Sequence, residues 1–310
     1  MKKLLYVGSM RGLLIFLLVN KLEVNDTIFI FENKNNINLQ NKITLDLENR
    51  KNENKYLKRY KIYKIFKKAS EESGGGIWLQ DHLLYAEYFI SKFKNIKLLE
   101  DGLLNYDLDN EKELKKRLKI KDWILGGSFL VDENKFGISK NISEIYLTGL
   151  KEIPKKIINK TKIIDLKKLW SELSFEKKEK LFNIFNLKGK ILLNKEIILI
   201  TQPLSEDGAI TENEKINIYK NIVDKYGEEN IIIKPHPREK TNYKDIFPKT
   251  EVLTKEFPIE LITFTMKNIK KVITIFSTAV YDFENVAEEI EFVGTKIDDK
   301  LVKKFGNIER

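Results

Sequence analysis

The segment "IIIKPHPREK", residues 231–240, sets His236 between Pro235 and Pro237 in a chain with only two histidines. Proline fixes its own φ and pushes the residue before it into extended backbone. An imidazole held this way stands on a stiff support at the end of an apolar run. Imidazole exchanges a proton near neutrality, and a general acid needs its proton aimed in one direction. The pattern suits proton donation to a departing group, although a surface histidine in a proline-rich turn would have the same sequence.

Three further groups have residue types fit for chemistry. Ser277 and Thr278 follow "KKVITIF" and precede "AVYDFENV". Hydroxyls at a strand-to-helix turn, beside free helix N–H groups, form an anion site; ordinary N-capping uses the same residues. Glu260 lies in "FPIEL", with Pro258 expected at the first helical position. An acid in a first turn favours the helix start, and a carboxylate can also accept two hydrogen bonds from ribose hydroxyls. Finally, the triplet Glu-Asp-Gly occurs twice, as Glu100-Asp101-Gly102 and Glu206-Asp207-Gly208. Glycine allows a tight turn and is expected to leave the flanking carboxylates exposed, where one could accept a proton from a sugar hydroxyl. Asp-Gly is also a common turn dipeptide.

Such groups need strands to carry them. Short apolar runs alternate with helical stretches, the pattern of a parallel α/β sheet. Strands are expected at Leu4–Val7, Thr27–Phe31, Lys97–Leu99, Glu144–Leu147 and Ile163–Leu166, then at Ile197–Thr201, Ile231–Ile233, Val272–Phe276 and Glu291–Val293. The stretch "IWLQDHLLYAEYFISKF" reads as a helix after the flexible loop Ser73-Gly74-Gly75-Gly76. Residues 110–190 are Lys-rich and mostly helical in pattern, with Ser174 as an N-cap. Glu212–Tyr226 is an amphipathic helix closed by Gly227. In open parallel sheets, ligands bind at the carboxyl ends of strands, and all four polar groups follow a predicted strand or open a helix.

Length and composition set the frame. The chain has 310 residues, enough for two domains, and 42% apolar residues, enough for packed cores. The expected organisation is two Rossmann-like domains facing across a cleft, 1–188 with a helical insertion and 189–310, with the boundary near Gly189 in "NLKGKILLNKE". Zero cysteine excludes a disulfide framework and a thiolate metal site. The opening "MKKLLYVGSMRGLLIFLLVNKL" imitates a signal peptide, but Gly8 to Gly12 split its apolar stretch. The second run, Leu13–Val19, falls far short of the ~20 residues a bilayer requires. A buried strand, a turn and a helix are expected there, with a cytoplasmic location. The net charge of +10 is carried mostly by lysine. Such a chain attracts anions, but its lysines are spread along all the helices rather than clustered with aromatics, so no nucleic acid is expected as a partner. A peripheral contact with an anionic membrane fits the charge.

The motifs and their order resemble the bacterial sialyltransferases of glycosyltransferase family 52, the lipooligosaccharide type, and share signatures with the bacterial polysialyltransferases. The resemblance is carried by "LLEDGLLNY", "ILITQPLSEDG", "IIIKPHPRE", "FPIEL" and "ITIFST", and is dense from 196 to 280. It implies a GT-B fold and an inverting, metal-independent transfer from CMP-sialic acid to a glycan or glycolipid acceptor, with no cofactor. It implies that His236 protonates the departing CMP phosphate, that Ser277 and Thr278 hold that phosphate, that Glu260 binds the ribose and that Lys234 lies beside the nucleotide. Pro237, Gly102 and Gly208 complete the implied substrate-binding set, and a homodimer is compatible with the family. The base that deprotonates the acceptor hydroxyl stays open. The pair Glu100 and Asp101 is favoured by position, as the related families keep their base on the first domain. Asp207 competes, because family 52 places an acid shortly before its His-Pro motif. Acid and base should stand on opposite sides of the sugar.

Overall fold

The computed structural model describes residues 2–74, 76–108, 117–118, 120–127, 130–131, 135–186, 195–266 and 268–309. The chain divides into two compact units, Met1–Lys188 and Gly189–Arg310. Gly189 itself, the boundary residue read from the sequence, lies outside the described residues.

The first unit contains β1 (Lys3–Val7), β2 (Thr27–Phe31), β3 (Lys42–Thr44), β4 (Gly76–Leu79), β5 (Ile96–Leu99), β6 (Arg117–Leu118), β7 (Leu130–Val131), β8 (Ile142–Leu147) and β9 (Thr161–Ile163). Seven of these form one parallel sheet in the order β3-β2-β1-β4-β5-β8-β9, while β6 and β7 pair antiparallel. Continuous apolar runs such as "LLYV" and "TIFIF" make central strands because a parallel sheet is covered on both faces. Register shows the two coverings. Leu5 pairs with Phe29 and Trp78, and Phe16 of the helix Met10–Val19 meets both of those rings edge-on. The next residue, Tyr6, points the other way, onto Phe66 of the helix Lys55–Ser73 and onto Phe89.

Two expectations are corrected in this unit. The stretch read as one helix holds β4, a turn, and only the six-residue helix Glu87–Lys92. A four-residue apolar run is too short for its periodicity to separate strand from helix, and Tyr85 takes φ +70°, which interrupts any helix there. The strand expected at Ile163–Leu166 ends at Ile163, because Asp165 caps the next helix, Leu166–Ser171, by accepting from Lys168 N at 2.9 Å. Much of the segment 109–134 lies outside the described residues.

The second unit contains β10 (Ile197–Ile200), β11 (Ile231–Lys234), β12 (Glu251–Val252), β13 (Ile269–Thr274) and β14 (Ala287–Phe292), all parallel in the order β12-β11-β10-β13-β14. Its crossover helix, Glu212–Tyr226, has the expected bounds and opens on a full capping box between Thr211 and Glu214. It buries Ile218, Tyr219, Ile222 and Val223 against the sheet. β13 stops two residues short of the expected Phe276. Thr274 Oγ1 accepts from Ser277 N at 3.1 Å, which turns the chain out of the sheet.

The capping box gives a direct check. Thr211→Ala removes one donor partner at the helix start and should cost about 1 kcal/mol, read as a lower urea midpoint with unchanged slope.

Candidate functional site

In the second unit the sheet register builds the site. Ile200 pairs with Lys234 on one side and with Thr274 on the other. Three adjacent strands therefore end level, and the segments 201–208, 235–240 and 275–278 leave from one edge. His236, Asp207, Lys234, Ser277 and Thr278 are all carried there.

His236 is half-buried, and its Nδ1 accepts the Arg238 backbone N–H at 3.1 Å. That bond assigns the ring proton to Nε2. Burial pushes its pKa down to about 4, and the charges of Arg238 and Lys234 push the same way. This departs from the near-neutral titration expected of the isolated residue. The resting ring is a neutral Nε2–H donor, since a second proton would have to displace the N–H already on Nδ1.

The second triplet is engaged with cations. Asp207 holds the Arg238 guanidinium in a two-point pair, with Nη2 to Oδ2 at 3.1 Å and Nη1 to Oδ1 closer. Glu206 accepts from Lys240 N at 2.6 Å and from Lys215 Nζ at 2.9 Å. Burial opposes its charge, but these hydrogen bonds outweigh it and hold its carboxyl at about 2. Gly208 sits at φ +68°, and Gly102 in the first triplet at φ +58°. Both need glycine for the conformation, and both have open space where a Cβ would stand.

Lys234 is buried, donating to the carbonyls of Pro235 (2.8 Å) and Lys255 (3.2 Å). Burial brings its pKa down to about 8, against the opposing charges of Glu239, Glu256 and Glu260. Glu260 is buried in the first turn of the helix Ile259–Thr265, and Pro258 is the N-cap, one position earlier than expected. Pro237 is exposed. Ser277 caps a short 3-10 turn by accepting from Ala279 N, and Thr278 begins that turn. Gln202 ties this turn to the neighbouring loop by accepting from Phe276 N at 2.9 Å.

In the first unit the two acids of Glu100-Asp101-Gly102 part company. Glu100 is fully buried, which corrects the expectation that both carboxylates are exposed. Its Oε1 accepts from Arg11 Nη2 at 2.8 Å and Nε at 3.0 Å, and its Oε2 from Tyr106 OH and Thr148 N, each at 2.6 Å. A buried carboxylate persists only with such partners, so Glu100 clamps the ends of β5 and β8. Burial, then the Glu100 charge, pushes the Tyr106 hydroxyl up to about 12.

Asp101 is partly exposed. Its Oδ2 lies 2.9 Å from His82 Nε2, and its Oδ1 accepts from Gln80 Nε2 at 3.1 Å. Gln80 also accepts from Gly8 N and Ser9 N and donates to the Glu100 carbonyl. One amide thereby joins the ends of β1, β4 and β5. His82 stacks on Phe136 with the ring planes 14° apart. The carboxylate of Asp101 can accept a proton, with His82 Nε2 beside one of its oxygens. Sequence reading missed His82, because the residue was placed inside an expected helix. Its rarity as the second of two histidines was the available signal.

Three outcomes follow. In ligand-free protein labelled with ¹⁵N-histidine, His236 should stay neutral from pH 8 to pH 5, so a midpoint near the ordinary ~6.5 would contradict this geometry. Glu100→Ala takes away the acceptor that Arg11, Tyr106 and Thr148 N–H share and should cost about 3 kcal/mol. Asp101→Asn, at a partly exposed position, should stay within ~1 kcal/mol in the same denaturation assay.

Comparison with known proteins agrees with this architecture. An uncharacterized protein of Haemophilus influenzae strain Rd is 40% identical over 232 residues, covering 74% of this chain and 71% of the relative. A 2,6-sialyltransferase of Photobacterium sp. JT-ISH-224, solved in a ternary complex with CMP and lactose, is similar with a TM-score of 0.56 at 14% identity, over 94% of this chain and 71% of that one. The GT-B domain of a sialyltransferase from Photobacterium damselae is similar with a TM-score of 0.52 at 13% identity, over 91% and 88% of the two chains. These likenesses give the fold class as GT-B. The sequence model of Glycosyltransferase family 52 matches residues 17–301, nearly the whole chain, and this protein belongs to that family.

Proposed function

We propose that this glycosyltransferase is an inverting sialyltransferase that moves sialic acid from CMP-sialic acid to a terminal galactoside of a surface glycan of the lipooligosaccharide type. The observation that carries the reading is the level ending of β10, β11 and β13, which gathers His236, Lys234 and Ser277 at one sheet edge in a family 52 chain. The solved sialyltransferase with CMP and lactose supports the substrate class.

The chemistry runs as one displacement. The acceptor oxygen bonds to the anomeric carbon, the bond from that carbon to the phosphate oxygen breaks, and its electron pair leaves with CMP. The leaving group is an anion, so meeting its charge matters most. His236 Nε2–H donates to the phosphate. As that anion arrives it favours the charged ring, raising the pKa that burial holds low. The ring takes a second proton from solvent at Nδ1 in place of the Arg238 N–H, and returns to neutral when Nε2 gives its proton to the phosphate. Ser277, Thr278 and the N–H groups of their turn hold the phosphate oxygens, Lys234 and Glu260 bound the nucleotide, and the reaction needs no metal.

Asp101 is assigned as the base. Glu100 is sealed by its partners, and Asp207 is committed to a guanidinium. His82, 2.9 Å from Asp101, steadies the carboxylate. A lipid-linked acceptor at an anionic membrane surface fits the net charge of +10, and no helix among the described residues is long and apolar enough to cross a membrane.

Incubation with CMP-sialic acid and labelled lactose tests the reading. Sialyllactose should form. His236→Asn and Asp101→Asn should each lower kcat by ~10²-fold or more while CMP still binds. Asp207→Asn should lower it less. Turnover with a UDP- or GDP-sugar and none with CMP-sialic acid would refute the donor assignment, and a larger loss in Asp207→Asn than in Asp101→Asn would move the base to Asp207.

A further inference from the structure

We propose that Glu239 is the positioning residue for His236, and that the buried polar cluster around it, beyond the two flanking prolines, fixes where the imidazole stands; this rests on the role given to His236 above. Glu239 is 1% exposed. Its Oε2 accepts the His236 backbone N–H at 2.7 Å and the Thr201 hydroxyl at 2.5 Å. Its Oε1 accepts the Tyr243 hydroxyl at 2.6 Å. Its own N–H donates to the His236 carbonyl at 3.0 Å, so the two residues are tied in both directions. Thr201 follows β10 and His236 follows β11, so one carboxylate stitches two adjacent strand ends together.

The cluster continues inward. The fully buried Lys215 ammonium lies 3.9 Å from Glu239, 2.9 Å from Glu206 and 3.0 Å from Glu212. It therefore links the loop that carries Asp207 to the loop that carries His236.

The prolines cannot do this work alone. They restrict φ at 235 and 237 and bias the residues before them, but nothing in them refers the His236 peptide to the sheet. The bond from His236 N–H to a buried carboxylate does. Hydrogen bonds to a charged acceptor are roughly twice as strong as neutral ones. Moving His236 away would leave a buried charge short of a donor, which is heavily penalised. A shift of ~1 Å in a reacting group can cost ~10²-fold in rate.

Glu239→Gln in the full chain tests this. Glutamine keeps the shape but offers one accepting oxygen where the carboxylate offers two, so three donors cannot all be met. With ¹⁵N-histidine labelling the chain gives two histidine amide signals, and the one missing in His236→Asn belongs to His236. In Glu239→Gln that signal should move upfield as the charged acceptor is lost. Turnover of CMP-sialic acid with lactose should fall in kcat by ~10- to 10²-fold, with donor KM within about threefold. In the wild-type chain the same amide should exchange slowly with solvent despite its place on a half-exposed loop, a readout that needs no variant to fold. An unmoved signal in folded Glu239→Gln, a kcat within twofold of wild type, or fast exchange in the wild type would each overturn the proposal. If the wild-type chain forms no sialyllactose, the functional reading fails, while the amide signals still decide whether Glu239 holds His236.

Discussion

Parallel pairing in register is the constraint from which the rest follows. Because Ile200, Lys234 and Thr274 lie side by side across three strands, the chain must leave the second sheet at one level, three times over. Polar residues placed just after each strand are then neighbours without any further folding instruction. The first unit uses the same device, with β1, β4 and β5 adjacent and the residues after them joined through Gln80. A slip of one residue in any of these pairings would swap the side chains between the two faces of the sheet, so register decides which residues stand at the polar edge.

Each unit also carries a buried charge that it must satisfy. Glu100 in the first and Glu239 with Lys215 in the second are sealed from solvent. Such groups add little to stability when complete, but are costly to break. Their contribution is fixity, because each ties strand ends that hydrophobic packing alone would leave free to shift. The partly exposed acids next to them, Asp101 and Asp207, are thereby left in defined places, one beside an imidazole and the other on a guanidinium.

Much of this architecture is readable from residue patterns. Strands with long apolar runs, such as Thr27–Phe31, and the helix Glu212–Tyr226 with its cap and closing glycine, declare themselves locally. β4 does not, since four residues cannot establish a period, and losing it hides the fact that His82 follows a strand next to the one that carries Asp101. Glu100 and Asp101 are adjacent and chemically alike, yet one is sealed and the other open. The difference comes from Arg11 and Thr148, which are distant in sequence. The resting state of His236 is equally hidden, because it depends on an N–H two residues on and on burial.

Beside its carboxylate clamp at Glu100, the first unit has a tie of another kind. Gln80 holds the first unit's strand ends with an amide, which neither gains nor loses a proton in water at any ordinary acidity. Glu239 holds the second unit's with a carboxylate whose pKa burial has raised. Acidification reaches that carboxylate early, with Lys215 and Tyr243 as its buried neighbours. The fold is not endangered, since a raised pKa means the native chain takes up the proton more readily than the unfolded one. What is lost is an acceptor, so acid would slacken the His236 turn.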